Sequence, residues 1–250
     1  MFLKERLFSE FLLGLLKTTL PMYIQPNMKN LHMNNKKLLV IMAHPDDAEL
    51  SCYGTIRKYI DEGYECYISI ASNGINGNSS SQNCDRISES KQSFFSLPVH
   101  FVTLDCMDGF ISFDLNLVKK VSNIICEIRP NVVITHFPDS FGCEHQDHTA
   151  IGKAVTNAVV RYSTNLEMFL YAEPMYPFFS SFKWNYIVDI DLYYKEKIKA
   201  LQAHESQNGK FYMTEQFQTS RMTRISPYLG TIGSDKNCKF ELYYSALGIF

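Results

Sequence analysis

The chain has 250 residues, 46% of them hydrophobic and 20% charged, which suits one globular domain with a full core. Its 24 basic and 26 acidic residues leave a net charge of −2 and no basic run, which argues against a nucleic-acid partner. The seven cysteines are odd in number and form no CxxC pair, so neither a disulfide framework nor an all-cysteine zinc site is expected. Reduced thiols in a cytoplasmic protein fit better.

Leu3, Leu7, Phe8, Phe11, Leu12, Leu15 and Leu16 recur at helical spacing, which predicts an amphipathic helix over residues 3–18. Its apolar stretch, Phe11–Leu16, is too short to span a bilayer, and Glu10 interrupts any signal-peptide core. The stripe must be covered by its own domain, by a second subunit of a homo-oligomer or, as the lesser reading, by a membrane surface. Pro21, Pro26 and the polar residues up to Lys37 make residues 1–35 an extension and connector, and residues 36–250 the main domain.

Lys37–Ala43 (KLLVIMA) is an almost unbroken apolar run, as in a strand buried on both faces. A helix is predicted from about Ala48 to Glu62, stopped by Gly63. Glu65–Ala71 reads as a strand and Ser72–Asn83, rich in Asn, Ser and Gly, as a loop. A helix over Arg86–Phe95, a strand over Val99–Leu104 and a helix over Leu115–Ile128 capped by Asp114 come next. Then follow a strand over Asn131–His136, a helix to about Tyr162, strands near Met168–Ala172 and Tyr186–Ile190, and a helix over Leu192–Ala203. The alternation predicts an α/β fold: a single Rossmann-like three-layer domain with a mainly parallel sheet, plus the N-terminal amphipathic helix.

In such sheets ligands bind beyond the carboxyl ends of the strands. The turn after the first strand is His44-Pro45-Asp46-Asp47, and the chain contains no GxGxxG, GK[ST] or GxSxG motif. The loop after Asn131–His136 carries Glu144-His145-Gln146-Asp147-His148. The fold can bring these two His–Asp clusters together. Catalytic zinc takes three protein ligands and keeps an open position, which two His and one carboxylate satisfy. A further carboxylate must then stay off the metal to take a proton from water.

Ala43–Leu50 (AHPDDAEL) resembles the AHPDDxE signature of the LmbE-like, or PIG-L, deacetylase family. Glu144–Gly152 (EHQDHTAIG) resembles its HxDH signature, Arg86–Glu89 its RxxE helix and Ala203–Gln207 its late HxSQ element. The resemblance covers roughly residues 36 to 210, with Gln146 standing where the family commonly has Pro. It implies a zinc-dependent hydrolase that removes an N-acyl group, acetyl above all, from an N-acetylglucosamine-type or related amino sugar. The implied zinc ligands are His44, Asp47 and His148. Asp46 would be the general base, and His145 would stabilise the oxyanion or protonate the leaving amine. Arg86 would contact substrate or pair with Glu89 or another carboxylate. Asp147 and His204 would support the site without binding metal, Asp147 with helix capping as an alternative. The implied partner is a small N-acetylated sugar or glycoconjugate. A zinc amidase on a non-sugar amide, such as a thiol conjugate or antibiotic intermediate, and a metal-free α/β binding module remain as alternatives. The Ser72–Asn83 loop and residues 173–184 are expected to shape the pocket.

Overall fold

The computed structural model describes residues 23–24, 36–77, 84–139, 142–229 and 238–248. The strands are β1 (Tyr23–Ile24), β2 (Lys37–Met42), β3 (Glu65–Ser72), β4 (Val99–Cys106), β5 (Val132–His136), β6 (Met168–Ala172), β7 (Tyr186–Asp189) and β8 (Phe240–Gly248). The helices are α1 (Asp47–Asp61), α2 (Arg86–Ser93), α3 (Leu115–Ile128), α4 (Gln146–Tyr162), α5 (Tyr194–Gln202), α6 (Glu215–Thr223) and the short α7 (Ser226–Leu229). The helix expected over residues 3–18 lies outside the described residues.

All eight strands join one sheet in the order β1-β7-β8-β6-β5-β2-β3-β4. Five pairings are parallel, and only the two made by β8 are antiparallel. β2 lies inside the sheet between β3 and β5, which explains its unbroken apolar run: Leu38 to Met42 are all inaccessible to solvent. One face of the sheet packs on α1, α2 and α5, through residues such as Ile56, Phe94 and Leu201. The other packs on α3 and α4, through Val121, Ile125, Ile151 and Val155. This is the three-layer arrangement that strand–helix alternation predicts.

Some details depart from the sequence expectation, among them strand β8, which it did not contain. Helix α2 ends at Ser93 rather than Phe95. Helix α1 is broken within, where Cys52 leaves the helical region (φ −147°, ψ 18°). The cap assigned to Asp114 is formed, its carboxylate accepting from Leu117 N at 2.8 Å. Among the described residues, no helix is long and apolar enough to cross a membrane.

The order of the strands sets the position of the site. From β2 the chain winds outward through β3 to β4, then returns to lay β5 on the other side of β2. The crevice at the carboxyl ends of β2 and β5 is therefore the topological switch point, where open α/β sheets bind ligands.

Candidate active site

The β2 end supplies Ala43-His44-Pro45-Asp46-Asp47, and the β5 end supplies His136 and the turn into α4. Asp46 has φ 114°, a left-handed conformation that a non-glycine residue holds only when its surroundings enforce it. The turn points Asp46 and Asp47 in different directions. Helix α4 approaches the β5 end closely at Gly152, where a Cβ would lie 2.6 Å from the His136 carbonyl oxygen. That contact brings the first turn of α4, with Asp147 and His148, against His44.

His44, Asp47 and His148 offer ligand atoms within 4.8 Å of one another. His44 Nδ1 faces His148 Nε2 at 3.1 Å. Asp47 Oδ1 lies 3.3 Å from that same His148 nitrogen, and Oδ2 lies 3.5 Å from His44 Nδ1. The outward nitrogens are held by carboxylates. His44 Nε2 is 3.2 Å from both Asp108 Oδ1 and Asp147 Oδ2, and His148 Nδ1 is 2.8 Å from Glu144 Oε1. Carboxylates behind imidazoles orient metal-binding histidines and raise their basicity. His44, His145 and Asp147 also converge. However, His145 Nδ1 there accepts from the Asp147 amide, and Asp147 accepts from the amides of Gly109 and Ile111. The first grouping is thus the better ligand set.

The charges match this geometry. Burial by itself would lower the His44 pKa, but Asp108, Asp147 and Asp47 outweigh it and hold the imidazole up at about 12. His148 is likewise raised to about 9, against burial, by Asp47 and Glu144. The pocket therefore favours positive charge on these rings, and a cation can supply that charge instead of protons. Burial acts against ionisation of Asp47 too, yet His148 and His136 keep it well below the usual carboxylate range. His136 Nε2 lies 3.0 Å from the Ala43 amide nitrogen and 3.2 Å from Asp47 Oδ2, and its ring stacks on His148 at 4.0 Å. Burial and the neighbouring His148 lower it to about 4, which leaves it neutral.

Asp46 is buried and belongs to neither converging group. Burial lifts its pKa to about 6, with Arg86 opposing. Its carboxylate makes no helix-capping hydrogen bond. Arg86 Nη2 sits 3.2 Å from Asp46 Oδ2 and donates to Pro45 O at 2.8 Å, while Nη1 donates to Gly74 O. The guanidinium fills the space a Cβ would need at Gly74, 2.4 Å away. Arg86 pairs with Asp46, then, and not with Glu89. Glu89 instead accepts from Ser206 N and Oγ. His204 is wholly buried against Glu49 at 2.9 Å, and Glu49 also accepts from Ser90 and Ser93 of α2. The late HxSQ element thus clamps the helix that carries Arg86, one step behind Asp46.

His145 is exposed, and its ring meets His44 edge-on with centroids 4.7 Å apart. Its Nδ1 is taken by the Asp147 amide, which caps α4 and leaves Nε2 to point outward. Asp147 therefore does not cap the helix. It is fully buried and supports His44. Burial, then the charges on His44 and His148, lower His145 and favour its neutral form. The structure brings His44, Asp46, Asp47, Arg86, His145, Asp147 and His148 to one place, with His204 behind them. Sequence reasoning missed Asp108 and gave Glu144 no role. The strand-end rule directs attention to the loop after β4, but nothing there singles out Asp108. Glu144 precedes both α4 and its cap His145, so its contact with His148 could not be read from helical spacing.

Residues 39–159 match the PIG-L family, described as GlcNAc-PI de-N-acetylase. The chain carries a PIG-L domain. The match takes in both His–Asp loops and the Arg86 helix and stops short of His204. A diacetylchitobiose deacetylase of Thermococcus kodakarensis is 28% identical over 187 residues, or 69% of this chain and 70% of the relative. A probable N-acetyl-alpha-D-glucosaminyl L-malate deacetylase 2 of Bacillus cereus is 30% identical over 138 residues, or 50% of this chain and 62% of the relative. Among solved structures, the N,N'-diacetylchitobiose deacetylase of Pyrococcus horikoshii superposes with a TM-score of 0.72 at 23% identity, covering 95% of this chain and 92% of that one. The 4-carboxy-2-hydroxymuconate hydratase GalB of Pseudomonas putida gives 0.74 at 17% identity, covering 87% and 98%. A hydratase on the same architecture shows that the PIG-L-like fold by itself does not fix the reaction.

Proposed function

We propose that this chain is a zinc-dependent N-deacetylase acting on an N-acetylglucosamine-type substrate. The observation that carries the reading is the pair of imidazoles turned inward onto Asp47, each backed by a carboxylate, with Asp46 beside them and off the ligand set. His44, Asp47 and His148 would hold the zinc. Two His and one carboxylate are a donor set that hydrolytic zinc takes with one position left open. Zinc there would supply a Lewis acid that polarises the acyl carbonyl and acidifies water. The substrate class is supported by the relatives, a diacetylchitobiose deacetylase and a probable N-acetylglucosaminyl malate deacetylase.

In this reading Asp46 takes the proton of the attacking water, and its raised pKa suits a base working near neutrality. Arg86 fixes the orientation of that carboxylate. Neutral His145 presents Nε2–H to the developing oxyanion. The proton held by Asp46 then passes to the leaving amine. The unpaired cysteines support a reducing compartment, and we place the protein in the cytoplasm on that ground.

The test is acetate release by zinc-loaded protein from a panel of N-acetylated amino sugars and non-sugar amides. We expect turnover of the sugars and about one zinc per chain. Turnover of non-sugar amides alone would replace the substrate class. Failure to bind zinc in wild type and His148→Ala alike would overturn the metal centre.

A further inference from the structure

Beside the reactive cluster, a cavity of about 670 Å³ opens between the carboxyl ends of β3 and β4. Its size falls within the range of small-molecule sites. Asp108 belongs to its wall and also lies 3.2 Å from His44 Nε2, the nitrogen turned away from Asp47 and His148, so one side chain separates the cavity from a proposed ligand. Part of its apolar lining is exposed: Met107 is 71% exposed, Phe110 70% and Ile75 49%. Water covers these side chains poorly, and the C–H face of a sugar ring fits them well.

The polar lining has one sign of charge. Asp105 and Asp108 line the cavity, and among the described residues lining it there is no Lys, Arg or His. Asp108 is already engaged by Ser72 and His44 through Oδ1 and by Asn76 N through Oδ2. The Asp105 carboxylate has no hydrogen-bond partner among the described residues. Asp105 is also left-handed (φ 49°), and the Lys120 ammonium is committed to this turn, donating to the carbonyls of Leu104 and Asp105. Asp takes this conformation readily, and Asp105 stands exposed at the cavity's edge with its carboxylate open to a ligand's hydroxyls. Arg86 does not offset the charge, because its guanidinium is committed to Asp46, Pro45 O and Gly74 O.

We propose that this cavity binds the part of the substrate beyond the reacting amino sugar, and that it selects a neutral, hydroxylated ring over an anionic group. The ring would stack on Phe110 and Met107, and its hydroxyls would donate to Asp105. A carboxylate or phosphate in the same place would meet two carboxylates and no cation. The inference rests on the deacetylase reading for its reacting group.

The experiment compares kcat/KM of zinc-loaded protein on N-acetylglucosamine, N,N'-diacetylchitobiose and N-acetylglucosaminyl malate. Wild type should prefer the disaccharide to either of the others by roughly tenfold or more, the range pocket contacts of this kind supply. Phe110→Ala and Asp105→Asn should remove most of that preference through KM, with the monosaccharide changed by less than about twofold. Asn tolerates the left-handed backbone, so the second variant tests charge without strain. Asp105→Lys should raise kcat/KM for the malate conjugate. Unchanged ratios among the three substrates in all variants would overturn the proposal. If wild type releases acetate from none of them, the deacetylase reading fails and binding decides the cavity. Saturation-transfer NMR with diacetylchitobiose should then show binding that Phe110→Ala loses, and equal binding by wild type and variant would overturn it.

Discussion

Asp46 and Asp47 are neighbours in the chain with opposite electrostatics. Asp47 is held ionised by two histidines, whereas Asp46 is pushed up to about 6, chiefly by burial, against Arg86, His204 and His44. Asp46→Asn keeps the shape and removes the proton acceptor, so the rate should fall about 10²- to 10⁴-fold while bound zinc stays near wild type. Asp47→Ala should lose zinc affinity and recover part of its rate in excess zinc. Rates and zinc content across a zinc titration check this, and rescue of Asp46→Asn by zinc would reverse the assignment. The same carboxylate sets a pH dependence. Protonated Asp46 cannot accept a proton, so activity should fall as pH drops through about 6. A nearby cation lowers that limb and loss of one raises it. Arg86→Gln should therefore move the acid limb upward relative to wild type, both measured zinc-loaded. A limb that stays in place would detach Arg86 from Asp46. At this scale two His–Asp clusters at strand ends were legible from the residues, and the choice of ligands among them came from the resemblance to the family's signatures. Asp108 was not, because its role comes from a distance of 3.2 Å to a residue 64 positions away in sequence (108 − 44).

Helix α2 shows why an element with a weak apolar pattern is nonetheless fixed. Of its eight residues only Arg86 and Ser90 are buried, so packing alone does not place it. Polar contacts do: Ser90 and Ser93 to Glu49, and Glu89 to Ser206. His204 completes the group. Burial would lower its pKa, but Glu49 raises it. Burial would raise Glu49, but His204, Ser93 and Ser90 keep it low. A raised histidine stabilises fully below its unfolded value near 6.5, and the effect is lost as pH rises through its folded pKa. A lowered carboxylate stabilises above its unfolded value near 4.3, and the effect is lost as pH falls through its folded pKa. The two effects coincide between about pH 4.3 and 6.5. His204→Gln should therefore cost on the order of 1.5–3 kcal/mol in that window, and less as pH rises beyond it. Urea unfolding of both proteins from pH 5 to 9 measures the difference. A cost that grows toward pH 9 would contradict the charged pairing. The HxSQ resemblance located this element, but not its function as a clamp on α2, because Glu49 and Glu89 lie more than a hundred residues upstream.

The whole molecule depends on a strand that the sequence pattern concealed. β8 contains Glu241, and a charged residue in a short run reads as a solvent-facing position, yet its side chain is only 2% exposed. The reason lies in α1. The break at Cys52 frees backbone groups on either side, and a buried helix cannot leave them unmatched. Glu241 accepts from Gly54 N at 3.0 Å and Thr55 N at 2.7 Å, while Lys197 of α5 donates to Leu50 O at 2.9 Å. The Lys197–Glu241 pair, 2.7 Å apart, joins the two repairs. Since α1 begins at Asp47, the far end of the chain supports the helix that opens at a proposed ligand. Glu241→Ala leaves a buried ammonium without its counter-charge and two amides unmatched, and should cost about 3–5 kcal/mol. The double variant Lys197→Met, Glu241→Leu separates two accounts of the pair. Were it simply a buried salt bridge, apolar replacement would be neutral or stabilising. Because three backbone groups of the broken helix lose their partners, we expect the double variant to remain less stable than wild type, by about 1–3 kcal/mol per group left unsatisfied. Chemical denaturation of wild type, both single variants and the double variant decides the matter. A double variant as stable as wild type would show that α1 does not need the strand to satisfy its break.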